Sequence, residues 1–342
     1  MKKTILLLAA LALMTGCQSR VASLHFYTWA DYIAPELVQQ FEKENNCRVI
    51  IDTFDSNESM YAKLKAGATG YDLINPSSYM AKIMFDQDML LPLDKSKLPN
   101  VANIDPEYLH IAVDKEMSYS VPYMITYTGI GYLADKVSDV VPSWKMLDRE
   151  DLSGRMTLLN DMRETIGAAL KYLGYSLNTV NDDELAAAKA VVIGWKKNMA
   201  KFENEQYKIG LASGEFLLVH GYSGDILKVQ EENENVEFMI PEEGFSLACD
   251  DLVIPRSAKE VDLALKFINF LHTPEVAAEN TEYITYLCPN TASYDLLSDD
   301  IKNDPGVFPE PAIRSKGEVI MDLGEDNQKY IQLWDEIKAA GN

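Results

Sequence analysis

Positive charge is scarce in this chain: 31 Lys and Arg stand against 53 Asp and Glu, a formal net charge of -22. A nucleic-acid-binding surface needs clustered Lys and Arg, so this balance argues against that class of partner. Cysteine is nearly as rare, with four in 342 residues. Cys17, Cys47, Cys249 and Cys288 show no metal-ligand spacing. Beyond Cys17 their number is odd. A Cys249–Cys288 bridge and three isolated buried thiols are both open readings for an exported protein. The histidines His25, His110, His220 and His272 are scattered without ligand spacing. No nucleophile–base pairing is readable. Gly221-Tyr222-Ser223-Gly224-Asp225 lacks the second glycine position of G-x-S-x-G, which argues against Ser223 as a nucleophile. No metal or other cofactor is implied. Repeats and low-complexity segments are missing, the opening apolar run is too short for a spanning helix, and no other stretch could cross a bilayer.

The one apolar run opens the chain. Met1-Lys2-Lys3 precedes Ile5 to Met14, and Thr15-Gly16-Cys17 follows. A basic start, a short apolar core and small residues before a cleavage point describe a secretory signal. Ending in Gly16-Cys17, it resembles a bacterial lipoprotein leader in which Cys17 becomes the lipidated first residue. Met14 stands where that pattern usually has Leu. The alternative is a plain secretory leader cleaved nearby. The expectation is a leader over 1–16 and an exported body, held by a lipid tether, from Cys17 onward. That body has the length of two ordinary domains. Losing Lys2 and Lys3 takes the formal charge from -22 to -24. Negative walls concentrate cations, although acidity also serves plain solubility.

The body alternates strand and helix. Phe26 and its neighbours read as a strand that breaks at Trp29, and Pro35 opens a helix with proline in its first turn. Cys47–Asp52 reads as a second strand and Ser59–Gly67 as a helix closed by glycine. Tyr71–Ile74 is a strand that breaks at Asn75-Pro76, and Ser77-Ser78-Tyr79 caps the next helix. Such alternation predicts βαβ units in a mostly parallel sheet. Tyr119 to Leu133 reads as a long strand that crosses to a second domain near Thr126. Ser143 caps a new helix. Met156–Leu159 is a strand, followed by a helix carrying Ile166, Ala169, Leu170 and Leu173 on one face. Glu184 to Phe202 reads as one long helix. Phe216–His220 and Val236–Ile240 read as strands, and Ala248–Pro255 as the return crossover. Helices follow over Ala258–His272 and Pro274–Glu282. The last helix, Gln328 to Ala340, carries a stripe of Ile331, Trp334 and Ile337.

In open α/β sheets, ligands bind outside the carboxyl ends of strands. The strand-end loops here collect one kind of chemistry. The aromatics are Trp29, Tyr32, Tyr79, Tyr222 and Tyr286. The acids are Asp31, Asp161, Glu164, Asp225 and Asp250. Carboxylates bind ammonium groups by charge-assisted hydrogen bonds, and aromatic faces attract cations at about 0.5–2 kcal/mol per contact. Acids at both ends with aromatic walls between them suit a linear molecule with separated amines. The plain alternatives stand beside this. Trp29 and Tyr32 cover a sheet end, Asp161-x-x-Glu164 is a near capping box, and Asp250 caps a turn.

A resemblance narrows the choice. Phe26-Tyr27-x-Trp29-x-x-Tyr32, Ser56-Asn57-Glu58, Tyr71-Asp72-Leu73-x-x-Pro76-Ser77, Leu93 to Leu98, Val121-Pro122-Tyr123, Asp161-x-x-Glu164, Asp250-x-Leu252-x-Ile254-Pro255 and Lys266 to Leu271 occur in this order. Together they resemble the bacterial periplasmic polyamine-binding proteins, the spermidine- and putrescine-binding family of ABC transporters. The similarity runs from about Phe26 to Gly341. It implies an α/β, two-domain type II periplasmic-binding fold, hinge-linked, each domain a mixed, mostly parallel sheet flanked by helices. Domain I would span 17–126 and 250–310, and domain II 127–249 and 311–342.

The resemblance also implies that Trp29, Tyr32, Ser77, Tyr79 and Tyr286 line the cleft, and that Asp161, Glu164 and Asp250 take the amines. Tyr222 stands where the family usually has Trp. Asp225 matches putrescine binders, whereas spermidine binders have a small polar residue there. Ala248 replaces a usual aromatic, and Ile320 the amide of spermidine binders. The expected protein is a monomeric, periplasmic lipoprotein that is not an enzyme. It delivers putrescine, with spermidine also accepted, to an ABC permease. The alternatives are the same fold serving a basic amino acid, a metal complex or a sensory role, and an exported hydrolase.

Overall fold

The computed structural model describes residues 21–109 and 111–341; the leader, Cys17 and His110 lie outside the described residues. The chain folds into strands β1 (Ala22–Thr28), β2 (Cys47–Thr53), β3 (Leu73–Ile74), β4 (Ser120–Leu133), β5 (Met156–Leu158), β6 (Met199–Phe202), β7 (Leu218–Tyr222), β8 (Val236–Met239), β9 (Phe245–Val253) and β10 (Gly317–Val319), with helices between them. Strand order is β2-β1-β3-β9-β4-β7-β5-β6, with β10 on β9 and β8 on β4. β1 is parallel to β2 and β3, and β5 is parallel to β6 and β7, as the strand–helix alternation predicts.

The two parallel groups meet through β4 and β9. β4 pairs antiparallel with β9 from Ser120 to Tyr127, then with β7 from Thr128 onward. A single strand thus serves both halves of the sheet. Each half has its own core. Phe26, Leu37, Phe41, Leu252 and Phe267 gather in one, and Trp144, Leu158, Ile166, Trp195 and Ile337 in the other.

Local sequence sets the elements that end at the cleft. The Pro35–Asn45 helix starts with proline and buries Leu37 and Phe41. It stops where Asn46 turns left-handed at φ 47°, a conformation that asparagine tolerates better than most residues. Phe41 then packs on Phe267 with ring centroids 4.6 Å apart.

Several sequence expectations are corrected. The helix expected over Glu184–Phe202 is Asp182–Lys196, and Met199–Phe202 is strand β6. β5 would otherwise leave a row of unpaired backbone groups, and β6 supplies their partners. The last helix, Asn327–Ala339, buries Tyr330, Leu333 and Ile337. Of the expected stripe, Ile331 is exposed and Trp334 packs at its edge on Phe202. The face is turned by Tyr330, whose single hydroxyl proton is shared between the Leu177 and Thr179 carbonyls, each 2.9 Å away. β9 begins at Phe245, ahead of the expected Ala248. Neither the Gln206–Ser213 helix nor β10 was legible. Cys47, Cys249 and Cys288 are free and buried, which decides against the disulfide. Among the described residues no helix is long and apolar enough to cross a membrane.

One buried network anchors the loop after β1. Asn280 Nδ2 donates to Tyr123 Oη at 2.7 Å, and Tyr123 Oη donates to the Tyr32 carbonyl at 2.9 Å. Asn280 Oδ1 accepts from Ala34 N at 2.9 Å. Asn280→Leu leaves the Ala34 amide unpaired in the interior and should cost about 1–3 kcal/mol of stability. Chemical denaturation checks this, and an unchanged midpoint would show the tether to be dispensable.

Candidate functional site

The strand pairing builds the floor of a cleft. In a β-strand, alternate side chains share a face. Ser246, Ala248 and Asp250 lie on one face of β9. Opposite them, Met124 pairs with Asp250 and Thr126 with Ala248. Thr126, Ala248 and Asp250 all line the cleft. Asp251 has the opposite parity. It is fully buried on the other side and accepts from Ser120 Oγ at 2.7 Å.

Asp250 marks one station. Its carboxylate accepts from Tyr32 Oη at 2.6 Å and Ser77 Oγ at 2.7 Å. Ser77 is itself fixed by Asn57, whose Nδ2 donates to Ser77 Oγ and whose Oδ1 accepts from Ser77 N, both at 3.1 Å. These hydroxyls favour the ionised form, but burial outweighs them and pushes the Asp250 carboxyl up to about 6. Asp250 is therefore no turn cap.

Glu164 marks the other station. It is on the Met162–Tyr172 helix, yet its carboxylate is held by the floor. Thr128 Oγ1 of β4 donates to it at 3.0 Å and Ser246 Oγ of β9 at 2.9 Å. Burial, and then the nearby Asp161 charge, push Glu164 up to about 8. Asp161 is the N-cap of the same helix and accepts from the Arg163 and Glu164 amides at 2.9 and 3.1 Å. The capping box is thus half made: Asp161 caps, while Glu164 turns into the cleft. Asp161 too is raised, chiefly by burial. Glu58, which sequence reasoning used only as part of a motif, is surface-exposed and accepts from Tyr79 Oη at 3.2 Å. The walls around it and then Asp161 raise it to about 7.

Trp29, Tyr79, Tyr222 and Tyr286 line the same cleft. Trp29 leans on Phe54 with centroids 4.4 Å apart, and Tyr32 on Tyr286 at 5.3 Å. Gly224 makes room for the Tyr286 ring, since a Cβ there would lie 2.5 Å from it. Ile320 and the half-buried Ala248 also line the cleft.

Two of the expected acids stand apart from these stations. Asp225 lines the cleft but is already paired. Tyr207 Oη and Tyr286 Oη donate to it at 2.7 and 3.0 Å, and Lys208 Nζ is 3.9 Å away. Asp31 is not among the lining residues. Its backbone is left-handed at φ 54°, and its side chain is 83% exposed at the outer rim, 3.7 Å from Lys208. The turn that brings Tyr32 inward sends Asp31 out. Arg163 and Lys208, both cleft-lining cations, were missed. Arg163 sits inside the Asp161-x-x-Glu164 motif itself. Its guanidinium lies over the Tyr330 ring at 4.7 Å and donates to the Met321 carbonyl at 3.0 Å.

Carboxylates held ionisable by hydroxyls rather than by Lys or Arg, beside aromatic faces, form an acceptor for cationic donors. The sequence profile of the bacterial extracellular solute-binding proteins matches residues 36–309. The chain belongs to this family. The spermidine/putrescine-binding periplasmic protein of Salmonella typhimurium is 38% identical over 340 residues, covering 98% of each chain. A solved structure described as a putative spermidine/putrescine ABC transporter from Listeria monocytogenes superposes with a TM-score of 0.88. It is 37% identical and covers 93% of this chain and 99% of its own. A lipoprotein of Treponema pallidum superposes with a TM-score of 0.83 at 33% identity, covering 92% and 99%. The architecture is the two-domain type II fold of periplasmic solute-binding proteins, with helices flanking a mixed sheet.

The raised carboxyls make the protein's own stability depend on pH. A folded pKa above the unfolded one means that the native state holds an extra proton, and stability is lost as pH rises through the folded value. For Glu164 this loss runs from about 4.5 up to about 8, and the upper part, about 6.5 to 8, is the window that tests it. The buried histidines act only below that window, because burial pushes His220 down to about 3 and lowers His272 as well. The melting temperature without added solute should fall by several degrees across the window, and Glu164→Gln should remove most of the slope. A wild-type profile that is flat or rising there would refute the desolvation argument.

Proposed function

We propose that this family member is the substrate-binding component of an ABC importer and captures a linear polyamine, putrescine or spermidine. The observation that carries this is the pair of buried carboxylate stations on one strand face. Glu164 is bonded at Ser246, and Asp250 stands four residues further along β9. That is roughly 13 Å of strand at about 3.3 Å per residue, a fit for a short extended diamine or triamine with a hydrogen bond at each end. One ammonium binds Asp250 with Tyr32 and Ser77 around it, and the other binds Glu164 and Asp161. Trp29, Tyr79, Tyr222 and Tyr286 flank the methylene chain. Asp225 helps through the phenols that it orients, and Asp31 only through the electrostatics of the rim. No bond is made or broken. The names of the Salmonella and Listeria relatives support this ligand class.

Closure brings two domains together, one over 17–126 and 250–310, the other over 127–249 and 311–342. The sheet exchange at Tyr127–Thr128 supports the first boundary. The protein acts as a monomer in the periplasm, anchored to a membrane. It is tethered through Cys17, a reading supported by the Gly16-Cys17 leader pattern and the lipoprotein relative.

Calorimetry with putrescine, spermidine, lysine and arginine tests the ligand class; binding of the amino acids alone would overturn it. Asp250→Asn should cost about 2–5 kcal/mol of polyamine affinity, the usual loss when one member of a buried charge pair is removed. An unchanged dissociation constant would take Asp250 out of the site. At pH near 7, binding should also release protons, because an arriving ammonium ionises Glu164. Titrations in buffers of different ionisation heat read this out, and a binding heat independent of the buffer would remove Glu164 from the amine's first contacts.

A further inference from the structure

Lys208 lies on the Gln206–Ser213 helix, a segment with no legible sequence signal, and lines the cleft with its side chain only 21% exposed. Its Nζ stands 2.9 Å from Glu205, 3.7 Å from Asp31 and 3.9 Å from Asp225. Asp31 belongs to the loop after β1 and Asp225 to the turn after β7, so one ammonium bridges acids from opposite sides of the sheet order. The Asp225 carboxylate is fully engaged as well. Tyr207 and Tyr286 each donate to one of its oxygens.

Counting charges along the cleft separates three acid stations. Asp250 is held by hydroxyls alone. Glu164 and Asp161 are held by hydroxyls and backbone amides. Asp225 and Glu205, which also line the cleft, share an ammonium supplied by the chain itself, and Asp55 lies on the lining as well. A diammonium ligand has two charges to match and finds two stations. A triammonium ligand brings one more, and the acids around Asp225 already hold an ammonium. To use them, the third amine must displace Lys208 from three acids at once or sit beside a like charge.

We propose that Lys208 is a specificity-determining residue whose ammonium holds the Asp225 station against a ligand's third amine, so that the cleft favours diammonium over triammonium solutes. The proposal rests on the polyamine reading above and gives it a direction. Asp225 acts as one of three acids that share the Lys208 ammonium rather than as a free acid.

The test titrates wild type, Lys208→Met, Lys208→Gln and Lys208→Arg with putrescine and with spermidine under the same salt. Lys208→Met and Lys208→Gln should shift the affinity ratio toward spermidine by about tenfold, the scale of one like-charge contact in a partly buried site. Lys208→Arg keeps the charge and should keep the wild-type ratio. Melting curves verify that each variant is folded, and Lys208→Gln serves if the apolar variant is not. A ratio unchanged in the neutral variants overturns the proposal while leaving the polyamine reading intact. A shift of the same size in Lys208→Arg also overturns it, because charge would then not be the cause. Wild type binding neither amine overturns the polyamine reading, and the proposal with it.

Discussion

The antiparallel ladder between β4 and β9 is the constraint on which the rest depends. It joins the two parallel groups of strands and forms the floor of the cleft. It also fixes which side chains face that floor. Thr126, Ala248 and Asp250 face one way, while Asp251 faces the other. Helices bring Asp161, Glu164 and Ser77 to the floor, but the hydroxyls that orient Glu164 come from β4 and β9 themselves. The cleft acids of the two halves are therefore referred to a single pair of strands.

The arrangement is electrostatically costly. Asp250, Glu164 and Asp161 are desolvated, and the groups bonded to them are hydroxyls and amides rather than Lys or Arg. Each would be more stable in water. Groups perturbed in this way cluster where function needs them, and a protein accepts the loss in stability at such places. In the proposed function a cation entering the cleft supplies the missing charge, so binding and relief of the penalty are one event. Arg163, turned toward carbonyls and the Tyr330 ring, moderates the penalty without occupying a station.

Much of this was legible in the sequence, because strand ends and helix starts are local events. The breaks after Thr28 and Ile74, the proline that opens the Pro35–Asn45 helix and the exchange of strands near Thr126 all follow from neighbouring residues. The ligand class came from the order of many weak motifs and not from any one of them. What escaped was long-range or rotational. Glu164 reads as a capping partner because its real partners, Thr128 and Ser246, are 36 and 82 residues away. Asp31 reads as a site acid because it adjoins Tyr32, and only its left-handed backbone turns it outward. Tyr330 set the face of the last helix through carbonyl partners that no periodicity could reveal. β6 exists because β5 needs a neighbour, not because Met199–Phe202 announces a strand.

The parity of β9 has an evolutionary corollary. Asp250 and Asp251 are adjacent in sequence but belong to opposite sides of the sheet. Inserting or deleting one residue between Ser246 and Asp250 would exchange them, turning Asp251 into the cleft and Asp250 into the opposite, buried side. A two-residue change preserves the facing and alters the separation of the stations by one pleat, about 6.6 Å. Ligand length in this architecture can then be retuned along the strand only in discrete jumps, and finer adjustment falls to side chains, as at Ala248 and Ile320.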